Sequence, residues 1–411
     1  MFSPADILKN IRLPSYDRRL WILFFGMGLN QFGMSIVMPF ISIYLFYYQG
    51  VSAGLVGFAM FVSSFVGAIF QFIGGEMCDR MGRRLTFILG LLILIISFLL
   101  LGWAVNAKAP YVFYLLILSL TRVATGLFRP IPNIIATDIV PPEQRLEAFS
   151  LLRIGQNAGF ALGPMVGGIM ALISYTSMFY FTAITSSIYL LIVFFFIKDT
   201  RTCMPSSRFS LKDISKIVDD RPFMAFSILV FLVTVVYSQM YSPLSVYAKG
   251  FAGLSEPEIG MMFAVNGTMV VVAQYLVTRL TNRYRLTMSM GIGTMLYALG
   301  FALVAFSHSF IALAFCVFVM TLGELTYMPP STTLTANMSS VDNRGRYQGF
   351  SGLTSTLGFA VGPLIGGILL DHLPTTFMWL IIAAMGVACA LSFIILKRLV
   401  PREKNGSHMI E

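Results

Sequence analysis

The stretch Gly159-Phe-Ala-Leu-Gly163-Pro164-Met-Val-Gly167-Gly168 returns almost letter for letter as Gly358-Phe-Ala-Val-Gly362-Pro363-Leu-Ile-Gly366-Gly367. A Gly-Pro step followed by paired glycines inside an apolar run bends a helix and bares one of its faces. A bilayer tolerates both features, because neighbouring helices re-satisfy the freed backbone groups and small residues let backbones approach closely. The second copy lies 199 residues after the first in a chain of 411, so the chain reads as two similar halves. The same offset carries Pro130 onto Pro329, Glu143 onto Asp342, Arg145 onto Arg344 and Phe160 onto Phe359 without a gap. Internal duplication of a membrane domain is the mark of secondary transporters, whose substrate site lies between the repeats near mid-bilayer.

Composition places the chain in the membrane. Hydrophobic residues make up 57% and charged residues 11%, with a mean hydropathy of +0.81; soluble domains run at about 45–50% and about 25%. Apolar runs of about 20 residues between breakers predict twelve spans. They fall near Trp21–Tyr47, Ser52–Cys78, Leu85–Val105, Pro110–Val140, Leu146–Ile173 and Ser177–Ile197, then Pro222–Lys249, Glu256–Thr281, Leu286–Ser307, Ser309–Ser340, Tyr347–Leu370 and Thr375–Leu396. The expected fold is all-α, with two pseudo-symmetric six-helix bundles over 21–197 and 222–396. A segment 1–20 precedes them, a linker 198–221 joins them and a tail 397–411 follows.

The net charge of +10 belongs to topology rather than to nucleic acid, because of where the charges sit. Loops on the side of the N-terminus hold 23 of the 28 lysines and arginines, with only Lys108 and Lys249 on the other side. Both termini are therefore expected in the cytoplasm, in a plasma or inner membrane. Lys9, Arg12, Arg18 and Arg19 lead into a long first run with no small-residue cleavage site, which reads as a retained span and not a signal peptide. In the linker, Phe209, Leu211, Ile214, Ile217 and Val218 recur at helical spacing between lysines, predicting a helix on the membrane surface, with a flexible tether as the plain alternative.

Between the second and third runs stands Gly75-Glu-Met-Cys-Asp79-Arg80-Met-Gly82-Arg83-Arg84. With the two-times-six layout this resembles the major facilitator superfamily, whose signature in that loop is G-x-x-x-D-R-x-G-R-R. The resemblance implies a cytoplasmic gate of Gly75, Asp79, Arg80, Gly82, Arg83 and Asp138: Asp79 meets the start of the eleventh span and Arg83 reaches Asp138 on the fourth. Solvated charge is the plain reading, and it accounts for Arg84 but not for the spacing. The matching loop of the second half reads Asn282-Arg283-Tyr284-Arg285, so the gate is expected to be asymmetric. Gly159, Gly163, Pro164, Gly167 and Gly168 fill a pattern that the family associates with exporters working as antiporters. The chain thus resembles the twelve-span drug:proton antiporter group. The echo at Gly362, Pro363, Gly366 and Gly367 shows that helix packing is served as well.

Two charges lie deep within spans. Arg122, in Leu120-Thr-Arg122-Val-Ala-Thr-Gly126, is twelve residues past Pro110, about 18 Å along a helix. The family reading gives it a part in proton coupling, and hydrogen bonding to carbonyls at a helix crossing is the equal alternative. Glu324 lies fifteen residues into the tenth run, and the other acids lie in loops, tails or near span ends. A lone carboxyl at that depth is suited to loading and releasing a proton, and a structural Glu324–Arg122 pair is the competing reading. Arg153, two turns inside the mouth, is expected to snorkel or to pair with an acid. Asn30, Gln31, Gln156, Asn157, Tyr237, Gln239, Tyr241, Asn266 and Gln274 are candidate cavity liners. The first span carries Asn30 and Gln31 where several drug:proton antiporters carry an acid.

Cys78, Cys203, Cys316 and Cys389 are scattered, and no metal spacing, nucleophile–base pair or phosphate loop occurs. No enzyme, no metal and no cofactor is expected. The sequence points to a monomeric transporter working by alternating access, with protons, a small molecule and the bilayer as its partners. Efflux of amphiphilic or multidrug-type compounds against protons is the main expectation. Uptake of a polar metabolite by symport or uniport, and a non-transporting receptor or scaffold, are the other two.

Overall fold

A computed structural model of the chain describes residues 17–141, 144–198, 219–281, 283–339 and 344–406, apart from the side chains of Asp79, Leu146 and Arg344. The predicted surface helix at 209–218 and the contact expected of the Asp79 carboxylate lie outside the described residues. Among the described residues twelve helices are long and apolar enough to span a membrane. They are α1 (Arg18–Tyr48), α2 (Ala53–Cys78), α3 (Arg83–Asn106), α4 (Tyr111–Ile139), α5 (Glu147–Ile173), α6 (Tyr175–Phe196), α7 (Arg221–Gly250), α8 (Glu256–Thr281), α9 (Leu286–Val304), α10 (Phe310–Met338), α11 (Arg346–His372) and α12 (Thr375–Leu399). The protein is an all-α, multi-pass membrane protein of two six-helix bundles.

Lipid is as apolar as leucine, so these helices gain from close packing rather than from hiding apolar surface. Leu92, Ile96 and Leu99 on α3 and Leu391, Ile394 and Ile395 on α12 are accordingly exposed, as expected of side chains turned to acyl chains. The duplicated glycines show how close the packing is. A Cβ at Gly159, Gly163 or Gly167 would overlap Gly28, Ser35 or Ile36 of α1, and one at Gly358, Gly362 or Gly366 would overlap Phe231, Ser238 or Gln239 of α7. In each half the fifth helix therefore lies directly on the first.

The last glycine of each copy faces the other way, across the boundary between the halves. Gly168 lies against Glu256 and Pro257 of α8, and Gly367 against Ala53 and Gly54 of α2. Further along the two seams, Gly260 meets the Pro164 carbonyl and Gly57 meets the Pro363 carbonyl, the carbonyl in each case belonging to the motif proline. Each seam also carries a polar lock. Asp371, near the end of α11, accepts from the first two amides of α2, Ala53 at 2.9 Å and Gly54 at 2.7 Å. That carboxylate caps the positive end of a helix in the opposite half. On the other seam Glu256 accepts from Tyr48 at 2.7 Å and Tyr175 at 3.4 Å, both from the first half, and lies 3.0 Å from the Lys249 ammonium.

This sealed end is the one remote from the basic loops. At the basic face these seam contacts are not repeated among the described residues: apart from the helix itself, nothing lies within 4 Å of where a Cβ would sit at Gly75 on α2 or at Gly349 and Gly352 on α11. Among the described residues the two halves are thus locked together at the end remote from the basic loops.

Candidate functional site

The seam between α5 and α8 runs from Gly168 through Gly260 to Gly267, which packs on Ala161. There it opens into a cavity of about 160 Å³ lined by Asn157, Phe160, Tyr241, Asn266, Gly267, Val270 and Glu324. Both halves contribute, at the boundary where duplicated transporters hold their substrates. Glu324 is half-buried. Its Oε2 accepts from Asn266 Nδ2 at 2.8 Å, and the same amide nitrogen reaches Thr321 at 3.0 Å. Tyr237 stands against the carboxyl, and its hydroxyl shares a 2.7 Å hydrogen bond with that of Tyr241. The Tyr297 ring packs 5.3 Å from that of Tyr237, and its buried hydroxyl has no hydrogen-bond partner among the described residues. Tyr241 also packs on Phe359 at 5.3 Å and stacks on Phe263 at 6.3 Å, with Phe160 of the first half 6.5 Å away. The result is one carboxyl in an aromatic pocket, with hydrogen-bond donors that hold it and room on its open side.

Asn157, Tyr237, Tyr241, Asn266 and Glu324 are thus brought together, and Phe160 joins them. Gln31 and Gln156 are half-buried and make no side-chain hydrogen bond among the described residues. Two expected liners do other work. Asn30 is buried and accepts from Ser186 at 3.3 Å, tying α1 to α6. Gln239 is fully buried and donates to the Gly362 carbonyl at 2.7 Å, tying α7 to α11. A polar residue in a span satisfies either a neighbouring helix or a cavity, and its facing decides which. That facing was not readable for these two.

Arg122 forms no ion pair with Glu324. It is half-buried on α4, its Cβ 3.0 Å from a Cβ built on Gly67 of α2, and its charged neighbour is Arg129. Arg153 of α5 is exposed, one turn from the cavity residue Asn157. From the sequence Arg153 was expected to snorkel or to pair with an acid, and it makes no ion pair among the described residues. Its spacing to Asn157 and Phe160 puts all three on one helix face.

At the basic face, Arg83 and Asp138 are brought together as an ion pair. Gly82 joins α2 to α3 with φ +92°, a conformation that side-chain-bearing residues rarely adopt. Arg80 pairs with Glu76 one turn back, both well exposed. Arg84 donates to the Phe194 carbonyl at 2.6 Å and lies over the Phe194 ring, so it closes the end of α6 rather than standing solvated. The second half holds a clamp that sequence reasoning missed. Asn405, 1% exposed, accepts from the Thr287 amide at 3.0 Å and donates to its hydroxyl at 2.9 Å, and the Asn405 carbonyl accepts from the Leu286 amide at 3.0 Å. Beside it, Asn337 Nδ2 donates to the Lys404 carbonyl at 3.0 Å and Lys404 Nζ to the Met338 carbonyl at 3.3 Å.

The sequence model described as Major Facilitator Superfamily matches residues 23–256 and 250–410. The chain belongs to this superfamily. The uncharacterized MFS-type transporter YttB of Bacillus subtilis (strain 168) is 28% identical over 360 residues, covering 86% of this chain and 89% of YttB. The quinolone resistance protein NorA of Staphylococcus aureus (strain MSSA476) is 25% identical over 393 residues, 92% of this chain and 96% of NorA. The multidrug resistance protein MdtH of Photorhabdus laumondii is 25% identical over 359 residues, with 85% and 86% covered. Among solved structures, a POT family transporter in complex with 5-aminolevulinic acid superposes with a TM-score of 0.80 at 15% identity, over 94% of this chain and 97% of that one. The nucleoside transporter NupG does so at 0.77 and 14% identity, over 93% and 100%. At such identities the likeness is one of fold. The protein is a major facilitator transporter, and not an enzyme.

Proposed function

We propose that the protein exports small amphiphilic compounds in exchange for protons, with its basic face and both termini in the cytoplasm of a plasma-membrane-bounded cell. The observation that carries this reading is Glu324, a single acid held by Asn266 in an aromatic pocket between the halves. A carboxyl so placed is charged or neutral according to what shares the pocket with it. Relatives named for quinolone and multidrug resistance support the outward direction. In this reading the cavity, open at the basic face, takes a compound from the cytoplasm or inner leaflet as Glu324 gives up its proton. The halves then rock: the α2–α11 and α5–α8 seams part, and the basic face closes about α2, α11 and the Arg83–Asp138 pair. Outside, a proton returns to Glu324 and the compound leaves.

Flux in liposomes under an imposed proton gradient tests the proposal. The expected result is movement of an aromatic amphiphile against the proton flow, with coupling lost in Glu324→Gln while exchange down the compound's own gradient persists. Undiminished coupling in that variant removes Glu324 from the mechanism. Accumulation with the proton flow replaces export by uptake symport.

A further inference from the structure

A compound seated in the cavity covers the open side of Glu324, so the proton that the carboxyl gives up needs a way out other than the compound's own. The interior of the second half offers one. The Tyr297 hydroxyl, buried on α9 beside Tyr237, has no hydrogen-bond partner among the described residues, and neither has the hydroxyl of Tyr327, buried on α10 with its ring 6.3 Å from that of Tyr297. A hydroxyl without a partner is costly inside a membrane protein, and such places hold water where several polar groups converge. The polar row continues along α10. Glu324, Tyr327, Ser331 and Thr335 recur at spacings of three, four and four residues, so they share one helix face. Ser331 and Thr335 are buried, and the Thr335 hydroxyl reaches both the Ser331 carbonyl at 2.9 Å and the Ser351 hydroxyl of α11 at 3.4 Å. One turn from Ser351 toward the basic face, Tyr347 donates to Asp220 at 3.0 Å, and that carboxylate stands at the start of α7. Hydroxyl groups thus lead from Glu324 to a carboxylate at the basic face, all of them on elements of the second half.

We propose that this row is the proton's route between Glu324 and the cytoplasm: a chain of hydroxyls and the water molecules they hold, inside the second half and separate from the path of the transported compound. Each oxygen along it accepts one proton as it passes its own to the next, so O–H bonds form and break in equal number. The proton lost by Glu324 emerges on Asp220 or in the water beside it. Tyr237, which stands against the Glu324 carboxyl, and Tyr297 are the first links, and Tyr347 is the last. A row of hydroxyls that served packing alone would have no reason to end on a carboxylate at both ends. The inference rests on reading Glu324 as the proton-carrying group, and it gives the two partners of the exchange different doors, so that a bound compound does not trap the proton it displaces.

The test uses full-length protein in lipid nanodiscs with the cavity sealed by N-(1-pyrenyl)maleimide attached through Asn157→Cys, the same reagent on protein without that substitution being the control. After a rapid drop in pH, the infrared band of the protonated Glu324 carboxyl, identified by its absence in Glu324→Gln, is followed in time. In sealed protein the band is expected to rise at nearly the rate of the control. Tyr327→Phe and, independently, Thr335→Val are each expected to slow it about tenfold in sealed protein, the scale of one lost hydrogen-bonding link, and to change unsealed protein little. Thr335→Ser, which keeps the hydroxyl, is expected to keep the rate. A seal that by itself stops the band from rising overturns the proposal, because Glu324 is then reached only through the cavity. So does an unchanged rate in either folded, sealed variant, and so does slowing that is as great without the seal. The reading of Glu324 as the proton-carrying group fails separately, when Glu324→Gln loses no band or keeps proton-coupled flux.

Discussion

In the first half, Arg83 at the start of α3 pairs with Asp138 at the end of α4. The corresponding positions 199 residues on are Asn282 and Asn337, where no such ion pair is possible. The start of α9 and the end of α10 are instead held by the tail: Asn405 binds Leu286 and Thr287, and Lys404 binds Asn337 and Met338. The two halves thus close the same gap with different chemistry. An ion pair acts over several ångströms and tolerates a shift of its helices, while short hydrogen bonds to backbone amides demand fixed geometry. The proposed transport cycle assigns the yielding clamp to the first half and the rigid one to the second.

Breaking the ion pair has the largest expected effect. Arg83→Ala leaves a carboxylate without its partner in a confined site, at a cost of about 3–5 kcal/mol. A thermal unfolding scan of Arg83→Ala, Asp138→Ala and the double variant is expected to show strong coupling, with the double variant no worse than either single one. Next comes Asn405→Ala, which strands the Thr287 amide and lowers stability by about 1–3 kcal/mol, but which is expected to leave transport per folded molecule unchanged. Transport lost in Asn405→Ala at full folded yield contradicts the static role of the tail. Smaller again, Asp371→Asn weakens the cap on α2 by about 1 kcal/mol. It is expected to shift the population toward the state open at the opposite end, read as greater labelling of a cysteine placed at Ala53, which lies in the same seam and is 4% exposed. The smallest effect belongs to Arg80→Ala, because its exposed pair with Glu76 contributes under about 1 kcal/mol.

The bilayer made most of the fold legible. Its thickness imposes runs of about 20 apolar residues, so the twelve spans could be read to within a few residues at most ends, and the Gly-Pro-x-x-Gly-Gly echo revealed the two halves. The echo also held more than packing, since Gly168 and Gly367 turn to opposite seams, which only the helix phases show. Within the site, Glu324, Asn266, Tyr237 and Tyr241 were legible as polar or aromatic residues inside spans. Asn30 and Gln239 carried the same signal and were spent on helix contacts, because residue type does not report facing. The Asn405 clamp left no trace at all: an asparagine in a basic tail has no periodicity and no motif. Arg122 was matched in depth to Glu324, yet depth along two helices says nothing of the distance between them.

Proton release on cargo binding tests the central claim most directly. When a saturating amphiphile is added to purified protein in weakly buffered detergent solution, the account predicts release of about one proton per molecule bound by wild type and none by Glu324→Gln. Binding without proton release, or release that survives in Glu324→Gln, contradicts it.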